Sequence, residues 1–182
     1  DSAGNVRFRQ DPDGKVTSTF YDHVYRPTMI VAPRTGTVTK TYNANGDLIR
    51  ELDGNGNVTE REYNSRRRLI RLTVAAGTPA ASTTRFEYSG AGDLTALVTP
   101  NSGRWEFRYD RKHRQIEEKD PNGRKSTVEF DKVGNRVATV DRLNQRTAMT
   151  YNEDDERTNI VYNDGSRVDM TYSDTGRQLT RA

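Results

Sequence analysis

Aromatic side chains recur at Tyr21, Tyr42, Tyr63, Tyr88, Tyr109, Phe130, Tyr151 and Tyr172, in steps of 21, 21, 25, 21, 21, 21 and 21 residues. Self-similarity at a fixed period of about 20 residues marks a repeat architecture, in which each unit is one supersecondary element stacked on its neighbours. The one long step carries its extra residues in the small-residue stretch AAGTPAAS, Ala75 to Ser82, which reads as a lengthened turn. The chain is therefore expected to be a single array over residues 1–182, of about eight repeats with an insertion at 75–82. Extrapolating backwards puts a further aromatic just before Asp1, so the chain reads as a fragment that starts inside a repeat.

Each period holds two turn signals. The first follows the aromatic, as in Asn43–Gly46, Asp131–Gly134 and Ser173–Gly176, and the second comes about ten residues later, as in Asp11–Gly14, Asp53–Gly56 and Asp120–Gly123. A short acceptor side chain at the first place can bond the turn's own N–H groups. Proline at the second presets φ, and glycine at the fourth takes φ > 0. The structural turn glycines are thus Gly4, Gly14, Gly46, Gly56, Gly92, Gly123, Gly134, Gly165 and Gly176. A type I turn followed by a left-handed residue is a common hairpin connection, so each repeat reads as strand, turn, strand, turn.

The strand leading to each aromatic alternates with period two. Trp105, Phe107 and Tyr109 share one face while Arg104, Glu106 and Arg108 share the other, and Val168, Met170 and Tyr172 stand opposite Arg167, Asp169 and Thr171. The other strand is mixed, with Leu48, Ile49 and Leu52 in one repeat and Ile116 almost alone in another. Only 31% of the residues are hydrophobic, too few to pack a second full layer. The expected fold is all-β: tandem antiparallel hairpins of about 21 residues forming a curved, single-walled sheet, a spiral or shell segment. Disorder is the weaker reading, because net charge is only +3 and the aromatics are regularly placed.

The pattern Tyr-Asp/Asn-x-x-Gly followed by Asp-Pro-x-Gly resembles the YD repeats of the Rhs family, most fully in Tyr109-Asp110 with Asp120-Pro121-Asn122-Gly123. The resemblance implies a β-strand ribbon that spirals into a hollow shell. Bacterial Rhs and Tc-type toxins enclose a C-terminal toxic polypeptide in it, and teneurins carry a related shell. Arg67, His113 and Asp155 depart from the pattern where the first-turn glycine is expected, and Leu143-Asn144 replaces a Pro-Gly signal. Around Gly36 and Gly103 the glycine comes one residue late, which predicts bulges there.

Candidates for chemistry fare poorly. Asp53-Gly54-Asn55-Gly56-Asn57 has oxygen-bearing residues at alternating places like a calcium loop, but its glycine is misplaced and no bidentate Glu follows. His23 and His113 stand alone in loops. Cysteine is absent, which removes disulfides and thiolate metal sites. The clusters Arg66-Arg67-Arg68 and Arg111-Lys112-His113-Arg114 lie at turns close to acidic residues, a solvated face more than a nucleic-acid footprint. Trp105 reads as core, and no apolar run is long enough to span a membrane.

No catalytic, cofactor-binding or metal residues are therefore expected. The expected function is a non-enzymatic encapsulation module, part of a β-shell that encloses and delivers a C-terminal toxin. Its partners would be the rest of the parent shell and the enclosed toxin domain, with neither nucleic acid nor a membrane span in this segment. Exposed strand edges predict self-association. The setting would be secreted, extracellular or cell-surface, reached through a bacterial secretion system. The alternative is an extracellular adhesion or carbohydrate-binding repeat module, which would carry exposed aromatics.

Overall fold

The computed structural model describes residues 4–176 and 178–181. Two compact units divide the chain: one runs up to Phe86 and includes Val98–Asn101, the other holds Glu87–Leu97 and the chain from Ser102 onward. The first carries β1 (Phe8–Gln10), β2 (Val16–Tyr21), β3 (Pro27–Ala32), β4 (Gly36–Tyr42), β5 (Leu48–Leu52), β6 (Val58–Tyr63) and β7 (Leu69–Val74). The division falls within β8 (Ser82–Tyr88) and β9 (Leu94–Val98). The second carries β10 (Arg104–Tyr109), β11 (Gln115–Lys119), β12 (Lys125–Phe130), β13 (Arg136–Val140), β14 (Arg146–Tyr151), β15 (Arg157–Val161), β16 (Arg167–Tyr172) and β17 (Gln178–Arg181). The fold is all-β, and no helix occurs among the described residues.

From β2 to β16 every even-numbered strand ends on one of the eight periodic aromatics. In the first unit β1 to β8 pair antiparallel in chain order, and in the second β10 to β17 do the same. Among the described residues of each unit, strand contacts run only between neighbours in the chain. Each unit is therefore one layer of tandem hairpins.

The turns follow from their first residue. In Asn43–Gly46 the Gly46 N–H donates to the Asn43 carbonyl, and the Asn43 N–H donates to the Asp47 carbonyl. The Asp47 N–H, which would otherwise lack a partner, donates to Asn43 Oδ1 at 2.9 Å. Asp53, Asn64, Asp110, Asp120, Asp141 and Asn152 each take two backbone N–H groups on Oδ1 in the same way. With the turn fixed from its first place, the fourth can hold a side chain: Arg67, His113 and Asp155 all sit at φ 61°. Asn144 does so at φ 63°. Positive φ is tolerated here at a cost of about 1–2 kcal/mol per residue.

Bulges occur, but not at Gly36, where the sequence predicts one. Gly36 pairs squarely with Ala32 across a three-residue loop, and near Gly103 the left-handed position falls on Ser102, at φ 64°. In the first of these the left-handed residue is Gly36 itself, at φ 74°, and the register from Met29 to Ala32 runs without an extra strand residue. The bulges lie instead beside the periodic aromatic. Tyr42 pairs with Leu48 while Thr41 pairs with Arg50, which leaves Ile49 without a partner. Ile70, Ile116, Val137 and Thr158 are skipped at the equivalent place. An extra residue there breaks the period-two phase, which is why the return strands look mixed in sequence.

The apolar core is thin. Met149, Ile160 and Met170 form its buried centre, with Tyr151, Val168 and Tyr172 packed around them. Ala96 and Ala138 are the other buried apolar residues among those described.

Candidate functional site

What the repeat residues build is a series of cross-repeat bonds. The phenol of Tyr42 donates to the Pro27 carbonyl at 2.8 Å, that of Tyr63 to Leu48 at 3.1 Å, and that of Tyr21 to Val6 at 2.8 Å. In the second unit Tyr151 donates to Arg136 at 2.9 Å and Tyr172 to Arg157 at 2.8 Å. Each acceptor lies 15 residues upstream of its tyrosine. Leu48, for example, is the residue paired with Tyr42, next to the bulged Ile49. For Tyr42, Tyr63, Tyr151 and Tyr172 the bond thus ties the tyrosine's own hairpin to the one before it, at the point where the regular ladder is interrupted.

All eight aromatics are half-buried. Burial pushes the Tyr42 and Tyr109 phenols above their usual range, keeping them protonated donors. Phe130 has a ring and no donor, and the Arg114 guanidinium lies over it at 4.1 Å, as Arg26 lies over Tyr42 at 4.6 Å. Tyr42→Phe is expected to cost about 1 kcal/mol, the net worth of one hydrogen bond with ring packing kept. The urea midpoint measures this, and an unchanged midpoint would show that the phenol bond adds nothing.

The nine turn glycines all have positive φ, from 76° at Gly176 to 128° at Gly134. Around them the carboxylates are already engaged, within their own turn or by the next one. Both Asp53 oxygens accept, Oδ1 from two backbone N–H groups and Oδ2 from Asn57 Nδ2 at 2.9 Å, so the calcium-like loop has no free ligand at its head. His113 Nδ1 lies 2.9 Å from Asp93, Arg67 Nε donates to Asp47 at 2.8 Å, and Arg114 Nε donates to Asp110 at 2.7 Å. One cation of each basic cluster, Arg67 and Arg114, is thereby paired with a carboxylate. Trp105 packs under the Arg142 guanidinium at 4.9 Å, and Arg142 pairs with Glu118. His23 occupies the second place of its turn.

These bonds hold several carboxyls below the usual carboxylate range. The Asn57 side chain does so for Asp53, the Arg67 side chain for Asp47, and the Gly134 N–H for Asp131. A carboxyl with a lowered folded pKa adds stability above its unfolded pKa, and that stability is lost as pH falls through the folded value. Unfolding free energy is therefore expected to hold steady at neutral pH and to fall from about pH 4 downward. Urea midpoints between neutral pH and strong acid measure it, and a flat profile would refute the turn-carboxylate account.

Sequence reasoning located the aromatics and missed their acceptors. The only signal for those was the constant spacing between a tyrosine and the first residue of the preceding return strand.

A family profile named Teneurin YD-shell matches residues 3–181. The chain is 26% identical over 167 residues to the probable deoxyribonuclease RhsB of Dickeya dadantii (strain 3937), covering 92% of this chain and 10% of that protein. It is 28% identical over 117 residues to the tRNA nuclease WapA of Bacillus subtilis (strain 168), covering 63% of this chain and 5% of that protein. Among solved structures, its fold is similar to part of the Photorhabdus luminescens Tc holotoxin pore, with TM-score 0.63 at 15% identity over 100% of this chain and 13% of the other. It is also similar to part of TcdB2-TccC3-TEV, with TM-score 0.66 at 10% identity over 94% of this chain and 12% of the other.

Proposed function

The chain belongs to the teneurin YD-shell family, and from that premise we propose that it is a non-enzymatic length of shell wall that encloses a polypeptide carried by the same parent protein. The observation that supports this most is the bond between successive hairpins. A single layer with so small a buried core gains its stability from neighbour to neighbour, and the phenol bonds supply that coupling at regular intervals. Such a sheet extends by adding units without needing a second layer, which suits a curved wall.

The relatives named as nucleases are many times longer than this chain, which spans 10% and 5% of them. We assign their activity to other parts of those proteins, and to this segment the containment of a toxic polypeptide in a secreted or delivered parent. The eight periodic aromatics and nine turn glycines are its structural residues. The periodic rings are half-buried, with the phenols of Tyr42 and Tyr63 already bonded, so they do not form the exposed aromatic platform that the adhesin or carbohydrate-binding alternative calls for. The exposed aromatics Phe8, Phe20, Tyr25 and Tyr162 lie off the periodic positions.

Limited proteolysis of the parent, with and without this segment, tests the reading. Protection of the enclosed domain should be lost when the segment is removed, and equal protection in its absence would overturn containment. Taken alone, the segment is expected to self-associate through strand edges. Light scattering should show mass rising with concentration, and a constant monomer mass would count against edge pairing.

A further inference from the structure

With the aromatic as zero, the fourth place of the first turn holds glycine in every second repeat. Gly4, Gly46, Gly92, Gly134 and Gly176 alternate with Tyr25, Arg67, His113 and Asp155. The fifth place alternates in size in step. Glycine is followed by a short residue in Gly4-Asn5, Gly46-Asp47, Gly92-Asp93 and Gly134-Asn135. A side chain at place four is followed by a long residue in Tyr25-Arg26, Arg67-Arg68, His113-Arg114 and Asp155-Glu156. Only Gly176-Arg177 departs, and Arg177 lies outside the described residues.

The contacts explain the alternation, because place four of one turn meets place five of the turn before it. Where place five is short, the next side chain reaches it. Arg67 Nε donates to Asp47 Oδ1 at 2.8 Å, His113 Nδ1 lies 2.9 Å from Asp93 Oδ1, and Asn135 Nδ2 donates to Asp155 Oδ1 at 2.6 Å. Where place five is long, it lies over glycine. A Cβ on Gly46 would stand 3.4 Å from Arg26 Nη1, on Gly134 3.5 Å from Arg114 Nη1, and on Gly176 3.1 Å from Glu156 Oε1.

We infer that the array is keyed in pairs of hairpins: its recognition unit is two repeats, 42 residues, and the first-turn rim is the surface on which each hairpin accepts only a neighbour of the other kind. A bulky fourth place needs a short, polar fifth place beneath it. A long fifth place needs a glycine above it. Glycine at every first turn would leave the short residues without their cross-turn partners, and a side chain at every one would have to share the space over glycine that the charged tips of Arg26, Arg114 and Glu156 occupy. The departures from the glycine pattern are thus half of a two-part key, independent of what the wall encloses.

The test is a set of substitutions in the full chain, read by urea unfolding. Gly46→Arg sets a second cation against Arg26. Gly56→Arg is the control, since Gly56 has the same left-handed backbone, φ 84° against 86°, and open space beyond its Cβ. The folded-to-unfolded ratio of Gly46→Arg should fall at least tenfold below that of Gly56→Arg. Adding Arg26→Asp to Gly46→Arg rebuilds the Asp47–Arg67 arrangement and should recover most of that loss, judged against Arg26→Asp alone. Equal effects of the two glycine substitutions would overturn the inference. So would failure of Arg26→Asp to rescue, including a double variant that does not fold while Arg26→Asp does.

Discussion

Gly54→Ala is expected to destabilise the first unit by about 3 kcal/mol, the upper part of the range for overpacking a closed site. Gly54→Pro should do no better, although proline is what comparable turns carry. Gly54 occupies the second place of the turn Asp53–Gly56, where Pro12 and Pro121 stand in Asp11–Gly14 and Asp120–Gly123. On sequence alone, proline there would gain roughly 0.4–1 kcal/mol by restricting the unfolded chain. The structure reverses that sign. A Cβ on Gly54 would overlap the Thr35 carbonyl oxygen and come 3.0 Å from Gly36 Cα, and a Cβ on Gly36 would come 2.9 Å from the Gly54 carbonyl.

Two neighbouring turns meet there backbone to backbone, so no flexible side chain can yield and one turn must shift. Urea unfolding of the two variants measures the cost. A Gly54→Pro variant as stable as the parent would show that the turns can separate freely.

That contact also shows where sequence reading stopped. The aromatic period, the turn pairs and the all-β character were legible because each rests on local chemistry: φ > 0 at glycine, Asx side chains on backbone N–H groups, and alternation along one strand. The sequence marks Gly56 as the fourth-place turn glycine and gives Gly54 no role of its own, because the constraint on Gly54 comes from Thr35 and Gly36 in the preceding repeat. The bulges were expected at late glycines, yet they lie beside Tyr42, Tyr63 and their equivalents. A skipped Ile49 or Ile116 looks in sequence like imperfect alternation. The phenol acceptors are main-chain carbonyls, which no side-chain pattern reveals. Arg67, His113 and Asp155 read as defects at single turns and gain their sense only when each is set beside the fifth place of the turn before.

Met149→Ala is expected to cost about 2–3 kcal/mol in the second unit, the low end for truncating a buried methionine. The low end applies because the layer has solvent beyond it: Met149 is 9% exposed, and the space left would be partly open to water. The effect is still large for so lean a sheet. Met149 is paired directly with Ile160, and Ile160 with Val168, so one truncation loosens three consecutive strands, β14 to β16. The place two residues before the aromatic is filled differently in the first unit, where Lys40 pairs with Glu51 at 3.6 Å. Both partners there are about a quarter exposed, and a solvated pair of that kind contributes only about 0–1 kcal/mol. Lys40→Ala should therefore change stability by less than half as much as Met149→Ala. Amide exchange in β14, β15 and β16 of Met149→Ala should quicken by roughly 30- to 100-fold, at about 1.4 kcal/mol per tenfold. Acceleration of only a fewfold would mean that the methionines merely cover the sheet, and that its stability resides in the turns and phenol bonds alone.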